Sequence, residues 1–329
     1  WFTENRYFKQ FLRGVHRQKF RFPIECFHVL MHGKVPQSCT SIVYNARHMS
    51  APTYIINGSF NHHITPLDRG FSYGDGVFRT MKMRGGLPLN WPLHYQKLVA
   101  DCAAIGIVCP SAELLMSDFE QLVTLQDTDT QAENVAKIII TRGEGERGYQ
   151  PPAVTSPTRV VIKSSMPQYL AAYDDTGVTL TLCQTRLSPQ GKLAGVKHLN
   201  RLENVLARME WRDETVFDGL LLDQQNNVIE CTMSNVFIRI NNTLFTPDLS
   251  QCGVAGVTRQ RVLSVAHVLN LKVEITSFSL DDFTKADEVM ICNSLFGCYQ
   301  VTRFLNQTWP IRHMAKSFKQ LLEQHSVTA

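Results

Sequence analysis

Residues 194–208 read Ala-Gly-Val-Lys-His-Leu-Asn-Arg-Leu-Glu-Asn-Val-Leu-Ala-Arg, and this stretch constrains the chain more than any other. An extended run, Val178 to Leu187, leads towards it. After Asn200 the apolar residues change to helical spacing, with Leu199, Leu202, Val205, Leu206 and Met209 on one face. Asn200 followed by Glu203 predicts a capping-box variant at the helix start. Lys197 therefore sits in the loop just before a helix N-terminus, where the helix dipole and any burial disfavour an ammonium. A lysine with weakened proton affinity suits imine chemistry, because only the neutral amine attacks a carbonyl.

Around this stretch the pattern is that of a mixed chain. Thr53–Gly58 predicts a short strand and turn. The glycines of Pro66–Thr80, at 70, 74 and 76, mark tight turns or close approach to a ligand. Phe78–Met83 predicts a strand, with Arg84-Gly-Gly86 as its turn and Leu87–Leu89 as the return. Helices follow over Trp91–Ile107, with Lys97 off the apolar face, and from a Ser111 cap to about Leu125. Val135–Thr141 and Arg159–Lys163 are β-rich, and Pro167–Thr176 reads as a connection. Beyond residue 208 we expect strands at Gly219–Leu222 and Val228–Ile229, and a hairpin of Val236–Ile240 with Leu244–Thr246. A helix follows Thr258, then a strand over Leu271–Thr276, a short helix capped by Ser279 and Asp282, a strand over Glu288–Cys292 and a closing amphipathic helix. Strands and helices mix without strict alternation, which favours α+β over a doubly wound sheet. Gly143-Glu-Gly-Glu-Arg-Gly148 matches a dinucleotide-binding pattern, but Tyr149-Gln-Pro-Pro152 forbids the helix that must follow, and two glutamates repel phosphate.

Length allows roughly two domains. A hydrophobic content of 44% against 19% charged residues suits a globular protein with a true core. No apolar run approaches the roughly 18 residues a membrane span needs. Nine scattered cysteines, without a Cys-x-x-Cys, argue against a disulfide framework and a zinc site and for a reducing, cytoplasmic setting. The net charge of +4 is concentrated at one end. Residues 1–50 carry eight Lys/Arg and two acids, leaving 25 basic and 27 acidic residues elsewhere. The nearly neutral body makes nucleic acid an unsuitable partner for it. Residues 1–50 open on Trp1 and read as an extension outside the main pattern, with Met49 near the start of the orderly chain; a transit peptide or a nucleic-acid-binding arm are the alternatives.

Three further clusters carry chemistry. Gly253-Val-Ala-Gly256 followed by Val257-Thr258 at a helix start predicts an anion site, with Thr258 as N-cap and hydroxyl donor. Glu230, beside Ser234 and Asn235, can hold a protonated pyridine nitrogen. Arg147 and Tyr149 can grip a carboxylate. A Schiff-base lysine, a pyridinium-binding carboxylate and a phosphate cup are what pyridoxal 5'-phosphate requires.

At these residues the chain from about Tyr54 onward resembles the fold-type IV pyridoxal-phosphate enzymes. These include branched-chain and D-amino-acid aminotransferases and the 4-amino-4-deoxychorismate lyases, to which it is most similar. The matching stretches are Asp68–Phe78, Arg142–Tyr149, Val196–Glu203, Glu230–Phe237 and Gly253–Arg259. The resemblance implies a small α/β domain over 51–167, a linker over 168–175, a larger β-rich α/β domain over 176–329, and a homodimer. It implies Lys197 as the Schiff-base residue, Glu230 on the pyridine nitrogen, and Asn235, Val257, Thr258 and Ser294 around the phosphate. Arg147 and Tyr149 become the contacts to a small carboxylate substrate, in their own site or a partner's. Three departures are informative. The family's His-x-x-Arg-Leu reads His94-Tyr-Gln-Lys-Leu98, so Lys97 is expected at the phosphate with a point charge instead of a planar fork. Arg79 stands where aminotransferases of the class carry an acid, and Tyr149 where D-amino-acid enzymes carry histidine; both favour a lyase.

Overall fold

The computed structural model describes residues 53–123 and 132–326. The extension expected over 1–50 lies outside them. In chain order the elements are β1 (Thr53–Ile56), α1 (Arg69–Tyr73), β2 (Gly76–Arg84), β3 (Leu87–Pro88), α2 (Trp91–Ala104), α3 (Ala112–Leu122), β4 (Glu133–Thr141) and β5 (Arg159–Ser165). There follow α4 (Tyr173–Thr176), β6 (Val178–Leu187), α5 (Leu202–Arg208), β7 (Val216–Asp223), β8 (Val228–Cys231), β9 (Asn235–Ile240) and β10 (Thr243–Thr246). The chain ends with α6 (Val257–Val265), β11 (Lys272–Ile275), α7 (Leu280–Lys285), β12 (Glu288–Asn293), β13 (Gly297–Phe304), β14 (Gln307–Thr308) and α8 (Met314–Gln324).

The strands make two sheets. The first is antiparallel, in the order β1-β5-β4-β2-β3. Alternation along β2 sends Val77, Met81 and Met83 into a core shared with Trp91, Leu98 and Phe119 of α2 and α3. The opposite face carries Phe78, Thr80 and Lys82, all partly open. The second sheet has nine strands, in the order β11-β10-β9-β12-β13-β6-β7-β8 with β14 beside β13. Its parallel pairs are β10–β11, β13–β6 and β6–β7. One face packs α7 and the Phe283–Phe304–Trp309 cluster, the other α6 and α8 through Val262, Phe318 and Leu322. Among the described residues no helix is long and apolar enough to cross a membrane.

Several local expectations meet the coordinates directly. Ser111 caps α3 by accepting the Leu114 N–H at 3.2 Å, and Ser279 with Asp282 forms a full capping box on α7. Gly143 is followed by a loop and no helix, as the prolines require. Other expectations are corrected. No capping box forms at α5: Arg201 occupies the cap, Asn200 donates to the Gly74 carbonyl at 3.1 Å, and Glu203 accepts the Ser188 N–H at 3.0 Å. The apolar stripe of α5 does not enter the core, for Leu202 is 74% and Met209 71% exposed. Thr258 is the second residue of α6, and its N-cap is Gly256. Strand β13 had no counterpart in the sequence reading.

The glycines of the first hairpin serve the chain itself. A Cβ at Gly74 would lie 2.5 Å from Asn200 Oδ1, and one at Gly76 would lie 2.6 Å from the Ile140 carbonyl oxygen and 2.8 Å from Leu199 Cδ1. They admit the 195–200 segment against β2. Gly76→Ala should therefore destabilise the full-length protein by about 1–3 kcal/mol, read as a lower urea midpoint with unchanged slope.

Candidate active site

The Lys197 segment is laced to β2 and to loop 253–256 by main-chain hydrogen bonds. On β2, the Phe78 N–H donates to the Lys197 carbonyl and the Leu199 N–H to the Gly76 carbonyl, each at 2.9 Å. On the loop, the Gly195 N–H donates to the Gly253 carbonyl at 2.9 Å and the Ala255 N–H to the Gly195 carbonyl at 3.1 Å. Arg201 closes the loop from behind, donating to the carbonyls of Val196 at 3.2 Å and His198 at 2.9 Å. The carbonyls of the two residues on either side of Lys197 are thereby held by one guanidinium.

The Lys197 side chain is half-buried, with Nζ 4.7 Å from the centre of the Phe78 ring. Lys137 reaches the same ring at 5.0 Å. Burial pushes the Lys197 ammonium down to about 8; Arg79 and Arg201 push the same way, while Glu230 and Asp101 oppose them. Glu230, on β8, is 3% exposed and accepts the Val254 N–H through Oε2 at 2.8 Å. Burial raises its carboxyl to about 7 against the pull of that amide, Arg201 and Lys197. Fully buried Asp218 accepts from Thr232 Oγ1 at 2.6 Å and Ser234 Oγ at 2.8 Å, fixing the turn between Glu230 and Asn235.

Loop 253–256 joins these groups to the anion site. Val254 N–H goes to Glu230, Ala255 N–H to Gly195, and Gly256 N–H to Asn235 Oδ1 at 3.2 Å, while Asn235 Nδ2 donates to the Val254 carbonyl at 2.8 Å. The amides expected to bind an anion along this loop are thus engaged. What remains is the start of α6, where Val257 and Thr258 have no intrahelical acceptor for their N–H groups. Thr258 Oγ1 lies 3.1 Å from Ser294 Oγ. These residues line a cavity of about 390 Å³ together with His94, Arg261 and Tyr169. His94 is 3% exposed, its Nδ1 has no hydrogen-bond partner, and burial first, then Arg79 and Arg261, depress its pKa to about 3. It is a neutral imidazole at physiological pH. Lys197, Glu230 and Asn235 do not line the cavity; loop 253–256 connects them to it.

Two expected contacts fall elsewhere in this chain. Lys97 does not line the cavity: its ammonium pairs with Asp101, one helical turn on, and donates to the Gly195 carbonyl at 3.0 Å. Its charge fastens the start of the Lys197 segment. Arg147 and Tyr149 are exposed, Tyr149 by 86%. Buried Arg69 holds their loop by its carbonyls, donating to Gly148 at 3.0 Å and Tyr149 at 2.9 Å, and the Tyr73 hydroxyl accepts the Gly148 N–H at 3.1 Å. The loop's main chain is fixed, and the side chains of Arg147 and Tyr149 are exposed. Sequence reasoning missed Phe78, Lys137, Arg201, Asp101 and His94. Asp101 alone carried a local signal, its spacing of four from Lys97 on a helix.

An open antiparallel sheet, a larger mixed sheet and a half-buried lysine on the segment between them define a two-domain α+β enzyme scaffold. The chain belongs to the amino-transferase class IV family, whose profile matches residues 76–304. It is 38% identical over 247 residues to the aminodeoxychorismate lyase of Vibrio harveyi, covering 75% of this chain and 89% of that one. The crystal structure of 4-amino-4-deoxychorismate lyase from Pseudomonas aeruginosa matches with a TM-score of 0.77 and 38% identity, over 83% of this chain and 98% of that one. The D-alanine aminotransferase of Bacillus licheniformis is 27% identical over 73% of this chain and 83% of its own length. The fold-type IV architecture expected from the motifs is the architecture found.

The Lys197 environment gives a direct expectation. In the full-length protein without added ligand, acetylation of Lys197 should rise with pH about a midpoint near 8, with exposed Lys272 as the reference for reagent reactivity. Peptide mass spectrometry after a brief acetic anhydride pulse measures both.

Proposed function

We propose that this chain is a pyridoxal-phosphate-dependent lyase converting 4-amino-4-deoxychorismate to p-aminobenzoate and pyruvate, with Lys197 as the Schiff-base residue. One observation carries the reading: Gly195, Glu230 and Asn235 are bonded to consecutive residues of loop 253–256, which runs into the helix start beside Thr258 and Ser294. The similarity to the Vibrio harveyi lyase supports the choice of reaction.

The residues suit the cofactor. A buried carboxyl at Glu230 matches a ring nitrogen, and free helix-start amides at Val257 and Thr258 with two hydroxyls match a phosphate. His94, whose buried Nδ1 has no partner, lines the same cavity. Bound pyridoxal phosphate would supply an electron sink for the substrate's ring carbon. Lys197, with its weakened proton affinity, would hold the group through its amine and would accept a proton from the amine-bearing carbon, the electron pair passing to that sink. Glu230 would stand at the ring nitrogen. Phe78 offers a flat apolar floor beside the amine, and Lys137, on the same ring, offers a charge for a substrate carboxylate. Departure of the enolpyruvyl group as pyruvate leaves an aromatic ring, so the protein's task is chiefly to orient the reacting bonds.

Arg147 and Tyr149 serve a partner's site in this reading, across a homodimer. Their fixed loop with exposed side chains supports it, as does the exposed apolar face of Leu202, Val205, Leu206 and Met209. The same reading divides the chain into domains over 51–167 and 176–329, joined by 168–175. The unpaired thiols among the described residues support a cytoplasmic setting.

Incubation with aminodeoxychorismate and no keto acid should release p-aminobenzoate and pyruvate in equal amounts; an aminotransferase would release neither product without an acceptor. Lys197→Ala should abolish the yellow absorbance of the bound cofactor and lower turnover by about 10²–10⁴-fold. Leu202→Glu with Leu206→Glu should halve the mass measured by light scattering and reduce turnover in parallel. A monomeric wild-type protein with full activity would remove the shared-site reading.

A further inference from the structure

Arg79 follows Phe78 on β2, so its side chain leaves the opposite face of the sheet, among the residues packed under α2. It is 2% exposed and Asp101 is 1% exposed. The two are paired through Arg79 Nη2 and Asp101 Oδ2. That same Oδ2 accepts the main-chain N–H of Lys197 at 3.3 Å, and Oδ1 takes the Lys97 ammonium. Arg79 Nε has no hydrogen-bond partner. One buried carboxylate thus serves two buried or half-buried cations and the peptide of Lys197, which leaves a surplus positive charge behind the amine.

We infer that Arg79 and Asp101 are a pair of positioning residues: Asp101 fixes the Lys197 main chain, and Arg79, held on that same carboxylate, places positive charge behind the Lys197 amine. The inference rests on Lys197 being the reactive amine. Its balance of charges is countable. The charged and titratable groups around Lys197 are Arg79 from β2 and Lys97 from α2, both held on Asp101, Lys137 from β4 on the shared Phe78 ring, Glu230 from β8, and His198 and Arg201 from its own segment. Burial, Arg201 and Lys197 push His198 down to about 4, leaving it neutral, with Asp101 opposing. Cations outnumber carboxylates, and after burial Arg79 is the foremost influence weakening the proton's hold on Lys197. An acid at position 79 would act with the opposite sign and draw the proton onto the amine. The arginine therefore biases this site towards a free base without a change to the lysine's own loop.

The test is the acetylation curve of Lys197 in full-length protein stripped of cofactor, with exposed Lys272 as internal reference. Arg79→Met removes the charge and should raise the Lys197 midpoint by about one pH unit. Arg79→Lys keeps the charge and should hold the midpoint at the wild-type position. Asp101→Asn leaves Arg79 and Lys97 uncompensated and should lower it. A purely structural pair would move both removals in one direction or move neither. An Arg79→Met midpoint equal to that of Arg79→Lys overturns the inference, and this comparison decides the matter even where Asp101→Asn does not fold. The readout needs neither cofactor nor substrate, so it stands apart from the pyruvate assay: failure there with the shifts intact would remove the lyase reading and leave this one.

Discussion

The hydrogen bonds that tie residues 195–199 to strand β2 and to loop 253–256 are the constraint on which the rest of the site depends. Four main-chain bonds, two to the strand and two to the loop, fix a segment that would otherwise be a surface connection. Burying a lysine costs free energy that its own contacts do not return. Here the cost is borne by a backbone whose polar groups are paired with a strand and a loop already held by other contacts. The glycines at 74 and 76 belong to the same constraint, because side chains there would push the segment off β2.

Charge is distributed by the same logic. Three deeply buried carboxylates surround the site, and each has a different set of partners. Asp101 is compensated by cations, Asp218 by hydroxyls and amides, and Glu230 by a single amide with charges nearby. Asp218 consequently acts as a structural pin for the turn 231–234, and Asp101 as an anchor for the lysine. Glu230 is the least satisfied of the three, and its carboxyl is pushed up to about 7. A group left in that condition is suited to sharing a proton with a ligand.

Most strands and helices were legible because their signals are local. Alternation gave β2, a β-rich run gave β4, and Ser279 with Asp282 announced α7. Strand β13 escaped because Gly-Cys-Tyr-Gln-Val-Thr-Arg-Phe is buried on both faces over its middle and lacks a clean two-residue period. The cap of α5 was misread because Asn200 and Glu203 have partners remote in sequence, Gly74 and Ser188. Of the site, the family motifs brought Lys197, Glu230, Asn235, Thr258 and Ser294 forward. The direction of the Lys97 ammonium was not legible, since its partner Gly195 is 98 residues away. Nor was the exposure of the α5 stripe, for periodicity tells which residues share a face and not what that face meets.

Loop 253–256 works as a ruler. Its successive amides measure out from the acid on β8, past the segment that carries the lysine, to the amide side chain of Asn235 at the mouth of α6. An insertion or deletion of a single residue there would put all three out of step together, so no part of the loop can vary in length alone. New reactions on this scaffold must then arise by exchanging side chains on the walls, as at positions 78–80, while the gauge between them stays fixed.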